Sequence, residues 1–226
     1  MVIKALVAAR SGSERVKNKN MRVFSGKTLL GYKLEQLKRI NVFDGVVLNS
    51  NDDEMLSLAK QLGCETVKRD QIFADSKTSM SDVYQNMAEN FQGDIVVYCN
   101  ATNPLVSDKS IVHALALFME GGLERQFESI HSAHLIKEFM YLNGKPINYD
   151  PFNQPRSQDL PDVYAINFAV SVISKKHMIK YKNIVSPQSK LFLVSALEAI
   201  DIDTMLDFEI AEFLFKKNFL DSSFHS

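Results

Sequence analysis

The chain has 226 residues, 46% of them apolar, with a formal net charge of −1. That length supports one sizeable buried core, and the balanced charge argues against nucleic acid as a bulk electrostatic partner, since no surplus of Lys and Arg exists to release counterions. Cys64 and Cys99 are too few for a disulfide scaffold, the apolar N-terminal run is only strand length and ends in Arg10, and no run approaches a membrane span of roughly 20 apolar residues; a cytoplasmic protein with no membrane partner is expected.

Val2 to Ala9 is a mostly apolar run of the kind a buried parallel strand shows. The chemistry changes abruptly after it. Residues 9 to 20 read Ala-Arg-Ser-Gly-Ser-Glu-Arg-Val-Lys-Asn-Lys-Asn. Ser11, Gly12 and Ser13 allow a tight turn whose backbone amides can converge on an anion, and Arg10, Arg15, Lys17 and Lys19, with Lys27 further on, can neutralise its charge. The alternative is a solvated basic loop. Gly26-Lys27-Thr28 imitates the end of a P-loop, but that pattern needs Gly where the chain has Met21, and no G-x-G-x-x-G fingerprint is present.

Further along, spacing predicts a helix over Leu29 to Lys38, a strand over Gly45 to Asn49, a helix over Asp53 to Gly63 and a strand over Glu65 to Lys68. Ser81 to Phe91 reads as helix, Asp94 to Cys99 as a strongly apolar strand, and Ser107 to Glu120 as a helix capped by Ser107. Strands alternating with helices indicate a parallel α/β sheet with ligand at the strand carboxyl ends. Residues 121 to 165 break the rhythm with Gly121-Gly122, Asn143-Gly144 and the prolines Pro146, Pro151 and Pro155 among others, which favours a hairpin-like lobe over a long structureless loop. His131 and His134 lack the third ligand or the helix of a zinc motif and read as structural or surface groups. Near the end, Ile200-Asp201-Ile202-Asp203-Thr204 precedes a helix from Met205 to about Lys217. On an extended segment Asp201 and Asp203 point to one side and can hold Mg²⁺ together with nucleotide phosphates; equally, Asp203 or Thr204 could merely cap the helix.

Taken together, these motifs resemble the acylneuraminate cytidylyltransferase family, which activates sialic, legionaminic, pseudaminic and octulosonic acids as CMP-sugars. The match runs through Ala9-Arg10-Ser11-Gly12-Ser13-Glu14-Arg15, Lys19-Asn20, Gly26-Lys27-Thr28-Leu29-Leu30, Cys99 to Leu105, Gln154-Pro155-Arg156-Ser157-Gln158, Asn167-Phe168-Ala169 and the segment from Ile200 to Asp207. The resemblance implies a Rossmann-like nucleotidyltransferase fold, α/β with a mostly parallel mixed sheet, formed by one domain over 1–226 with an inserted dimerisation lobe at 134–165. It implies transfer from CTP to a 2-keto-3-deoxy sugar acid, with Mg²⁺ on Asp201 and Asp203, and a homodimer in which the lobe helps cover the partner's sugar site. Arg10 and Lys19 would act with the two aspartates in catalysis. The nucleotide would lie on Arg10, Ser11, Gly12, Ser13, Arg15, Lys19, Asn20 and Arg69, and the sugar on Asn100, Thr102, Gln154, Arg156 and Asn167, where Arg156 can grip the carboxylate bidentately. Three departures stand out. Glu14 occupies the family's Lys position and is expected to face away from the phosphates, Arg15 supplying the charge; Ala101 replaces Pro; and Phe168 replaces Gly. A sugar-phosphate nucleotidyltransferase, or a noncatalytic nucleotide-binding relative, is the alternative reading.

Overall fold

The computed structural model describes residues 1–75, 77–122 and 126–223. In chain order its elements are β1 (Ile3–Ala9), the short strands β2 (Val23–Phe24) and β3 (Lys27–Thr28), α1 (Leu29–Arg39), β4 (Gly45–Ser50), α2 (Asp53–Gln61), β5 (Glu65–Lys68), α3 (Met80–Glu89), β6 (Ile95–Tyr98) and α4 (Asp108–Leu117). They continue with β7 (Ser129–Ile136), β8 (Tyr141–Leu142), β9 (Lys145–Pro146), β10 (Val163–Ser174), α5 (Lys175–Tyr181), β11 (Ser189–Leu193) and α6 (Met205–Ser223). Helix starts follow the side-chain chemistry: Thr28, Asp52, Ser79 and Ser107 each accept the amide hydrogen bond that caps α1, α2, α3 and α4.

Seven strands form one sheet in the order β11-β7-β10-β6-β1-β4-β5. Within it β10 runs antiparallel to both neighbours, and the remaining pairings are parallel. Strand alternation builds the two faces. Ala5, Val7 and Ala9 of β1, with Val97 of β6, join Leu30, Leu34, Met55 and Ile111 on the α1, α2 and α4 side. Leu6, Val47, Val96 and Tyr98 join Val83, Met87 and Met178 on the α3 and α5 side. A smaller cluster, Val16, Phe24, Leu29, Ile202, Phe208 and Ala211, packs the basic loop against α6.

The region after α4 departs from the sequence expectation. β7 and β10 pair from Ser129/Ile173 out to Ile136/Val163, so His134 and Ala165 are cross-strand partners within the sheet. The excursion from the sheet therefore runs from 137 to 162 and contains the β8–β9 hairpin. β7 escaped detection because its polar residues are satisfied internally. His131 is fully buried between Ser129 Oγ and Ser171 Oγ, both at 2.8 Å, and Ser129 also contacts Ser186. Among the described residues, no helix is long and apolar enough to cross a membrane.

Candidate active site

The carboxyl ends of β1 and β6 open onto a cleft of about 420 Å³ bordered by Arg10, Ser13, Arg15, Lys19, Asn20, Asn100, Thr102 and Asp203. The loop after β1 turns at Gly12, whose φ of +79° lies in the region that favours glycine. Ser11 is tied to Asn51, its amide donating to Asn51 Oδ1 (3.1 Å) while Asn51 Nδ2 donates to Ser11 Oγ (2.9 Å). Asn20 is buried and its Nδ2 donates to Arg10 O at 3.2 Å, which closes the loop on itself.

The segment after Ile200 meets this loop. Ile202 points into the small apolar cluster beside Val16, while Asp201 and Asp203 flank it. Arg15 Nη2 donates to Asp203 Oδ1 at 2.9 Å, and Lys19 Nζ donates to Ile202 O at 2.6 Å and stands 3.6 Å from Asp203 Oδ1. Thr204 and Asp207 resolve the capping alternative. Asp207 N donates to Thr204 Oγ1, and Asp207 Oδ2 accepts from Thr204 N and from Asp203 N. This reciprocal box serves the α6 N-terminus and leaves the Asp203 carboxylate to the cleft.

Asp201 is half-buried. Burial pushes its carboxyl above the usual carboxylate range, against a hydrogen bond from Thr102, and the neighbouring Asp203 adds to the rise. Its buried Oδ1 has no hydrogen-bond partner. Two hard oxygen donors, one of them unpartnered, suit a divalent cation that takes its remaining ligands from phosphate and water. Among the described residues, no group of three or more His, Cys, Asp or Glu side chains could hold a metal alone.

A second cavity of about 360 Å³ shares Ala8 and Arg10 with the cleft and runs along the α3 face past Arg69, Phe73, Thr78, Val83 and Tyr98. Arg69 is buried with its Nε donating to Asn49 Oδ1 at 2.6 Å and its Nη2 to Asn49 O. Arg10 Nη1 donates to Ala74 O at 2.9 Å, so the guanidinium stands where the two cavities meet.

Not every expected residue converges. Glu14, expected to face away, borders the same cleft as Arg15. It is exposed there, where water screens its repulsion toward an anion. Lys27 instead pairs with Glu35 of α1, apart from the cleft. Gln154 and Arg156 are exposed on the lobe, where Arg156 pairs with Asp159 at 2.7 Å, and neither borders the cleft in the single chain.

Asn167 lies at the same sheet edge, since Ser171 pairs with Tyr98 and Asn167 stands four residues beyond that pair, toward the carboxyl end of β6. Its Oδ1 accepts from Ser132 Oγ (2.6 Å) and Ala169 N (3.1 Å), while its buried Nδ2 is unpartnered. Phe168 has φ +54° inside the irregular stretch of β10, a left-handed backbone that favours glycine. Sequence reading missed the supporting residues Asn51, Asn49 and Glu198. Glu198 accepts from Ser107 N, Ser110 Oγ and Ser195 N, fastening the approach to Asp201 onto α4. Their signal is only a polar side chain beside a strand end or a helix cap.

A family model described as Cytidylyltransferase matches residues 4–185. The pseudaminic acid cytidylyltransferase of Campylobacter jejuni is 30% identical over 222 residues, covering 94% of this chain and 96% of that protein. The CMP-N,N'-diacetyllegionaminic acid synthase of the same species is 26% identical over 217 residues, covering 92% of each. Among solved structures, a CMP:2-keto-3-deoxy-manno-octonic acid synthetase complexed with CTP superposes with a TM-score of 0.72 at 12% identity, covering 96% of this chain and 100% of that one, a likeness of fold. By sequence, this chain belongs to the cytidylyltransferase family.

Proposed function

We propose that the chain transfers the cytidylyl group of CTP to a 2-keto-3-deoxy sugar acid of the nonulosonate class, giving a CMP-sugar and pyrophosphate. The observation that carries this reading is the meeting of the basic loop and the aspartate segment across one cleft, through Arg15–Asp203 and Lys19–Ile202 O. The named activities of the Campylobacter relatives support the acceptor class.

The residues divide the work. Amides of Ser11, Gly12 and Ser13 with Arg10, Arg15 and Lys19 would bind the triphosphate, and Asn20 keeps the loop folded for it. The cavity beyond Arg10, backed by Arg69, suits the nucleoside. Asn100 and Thr102, with Asn167 at the same edge, would orient the acceptor, whose anomeric hydroxyl attacks the α-phosphorus as pyrophosphate departs. Asp201 and Asp203 would hold Mg²⁺, which when bound neutralises charge on the α-phosphate and lowers the acceptor hydroxyl's pKa. Arg15 and Lys19 pair with Asp203. On binding, the two cations would exchange that carboxylate for phosphate oxygens.

The lobe leaves Tyr141, Leu142, Ile147 and Phe152 more than half exposed, Phe152 at 98%. A second copy of this chain would cover such a surface and bring Gln154 and Arg156 toward the neighbour's acceptor site. We place the enzyme in the cytoplasm, whose reducing conditions suit the free thiols Cys64 and Cys99.

The test is pyrophosphate release with CTP and Mg²⁺ across neuraminic, legionaminic, pseudaminic and octulosonic acids. Turnover with a nonulosonate is expected, and a folded Asp203→Ala variant should lose roughly 100-fold or more. Turnover only with a sugar phosphate would overturn the acceptor class. Full activity in Asp203→Ala would overturn the metal assignment.

A further inference from the structure

Lys33 is a lysine where an apolar residue would be less costly. It sits on α1 with 1% exposure, and no carboxylate lies within salt-bridge distance of it among the described residues. Its ammonium instead donates to two neutral oxygens, Gln36 Oε1 at 2.6 Å and Asn103 O at 3.1 Å. Gln36 in turn donates to Val106 O (2.7 Å) and Asp108 Oδ1 (3.0 Å). Both routes from Lys33 therefore end on the segment between β6 and α4, which carries Asn100 and Thr102.

That segment holds the aspartates. Asn103 is fully buried, and its Nδ2 donates to Ile200 O at 3.1 Å; Ile202 N donates to Thr102 O at 2.9 Å. The two bonds bracket Asp201, and the next residue is Asp203. A path of hydrogen bonds and chain neighbours thus runs from Lys33 through Asn103 and Thr102 to the backbone of Ile200 and Ile202, the residues that flank Asp201 and precede Asp203. We propose that Lys33 is a positioning residue for cytidylyl transfer, its ammonium fixing the Asn100–Asn103 turn and, through it, the placement of Asp201 and Asp203. This rests on the functional reading above.

The ammonium's charge matters to that role. Burial pushes Lys33 down to about 8, with Cys99 and Asp108 acting in the opposite sense and Arg39 reinforcing the fall. The groups facing it are Cys99 from the end of β6, a thiol that burial keeps neutral, Asp108 from α4, which Arg39 engages bidentately, and Lys27 and Glu35 across an adjoining cavity of about 330 Å³. Raising the pH through that range removes the charge that strengthens the bond to Asn103 O.

The decisive variant is Lys33→Met, which keeps an unbranched chain in the helix and removes the donor; Lys33→Arg keeps the charge. Per folded molecule, Lys33→Met should lower kcat about tenfold at pH 7 with little change in the KM of CTP. The alkaline limb near pH 8 in the wild-type kcat profile should be absent from the variant, and Lys33→Arg should restore part of the rate. Hydrogen exchange supplies a readout that needs no catalysis: the amide of Ile202 should exchange about five- to tenfold faster in Lys33→Met. If Lys33→Met fails to fold, Asn103→Leu, which breaks the link to Ile200 O while leaving the ammonium in place, should give the same kcat and exchange effects. Unchanged kcat, pH profile and Ile202 exchange in the folded variant, with only the melting temperature altered, would overturn the proposal. Should the wild-type chain release no pyrophosphate, the functional reading fails, and the exchange result still decides whether Lys33 positions the segment.

Discussion

Phe168 offers a test in which the ordinary ranking of Ala and Gly should invert. A non-glycine residue at φ +54° brings its Cβ against the backbone, at about 1–2 kcal/mol. The wild-type chain tolerates this because the half-buried ring packs on the cluster that includes Val83, Met87 and Tyr98. Phe168→Ala removes the ring and keeps the strain. With roughly half of the usual Phe truncation loss, it should cost about 2 kcal/mol. Phe168→Gly loses the same ring but relieves the backbone, offset by about 0.5–1 kcal/mol from greater freedom in the unfolded chain. The Gly variant should therefore be the more stable of the two by about 0.5–1 kcal/mol, or roughly 1–4 °C in melting temperature at this size. Urea unfolding of the three proteins, fitted for midpoint and slope, measures it. If Ala proves equal to or more stable than Gly, the left-handed backbone at 168 is not a source of strain and the argument fails.

Two further outcomes follow from buried and lobe residues. Burial pushes the His131 imidazole down to about 4, so between pH 6.5 and 4 the unfolded chain binds the proton first and stability falls with pH. That contribution amounts to about 3 kcal/mol; unfolding of wild type and His131→Asn at pH 7 and 4.5 should differ in pH dependence, and equal slopes would refute it. Arg156→Ala should raise the acceptor KM with the KM of CTP unchanged, because its guanidinium lies on the lobe apart from the phosphate loop; steady-state kinetics with an unchanged acceptor KM would remove it from the acceptor site.

The legible parts of this molecule are those in which polarity and burial agree. β1, β4 and β6 are mostly apolar runs and read directly as buried strands. Ser107 caps α4 as its position before a periodic run predicts. Where polar groups satisfy one another inside, the pattern misleads. Ser129, His131, Ser132 and Ser171 are fully buried, yet their residue types mimic a solvated segment, so β7 and its pairing with β10 were hidden. At the site, residue types pointed to a basic loop and an aspartate segment, and the structure brings the two together. Residue types offered Thr204 as a cap but could not disclose that Asp207 completes the box with it, that Glu14 borders the cleft, or that Lys27 turns to Glu35. Those outcomes depend on contacts that arise only once α6 packs beside the loop.

What joins the loop to the aspartates is apolar, and the magnitudes decide it. The Arg15–Asp203 pair is exposed, with 68% and 47% of the two side chains open to solvent, and pairs of that kind contribute about 1 kcal/mol or less. Val16 and Ile202, by contrast, are buried in one cluster with Phe24, Leu29 and Phe208, and full burial of such side chains is worth about 1.5–3 kcal/mol each. The cluster therefore fixes the approach of the two segments, and the ion pair does not have to. This division suits the polyphosphate uptake proposed for the cleft. Charges held together only weakly can exchange partners when substrate arrives, while the backbone beneath them keeps its place.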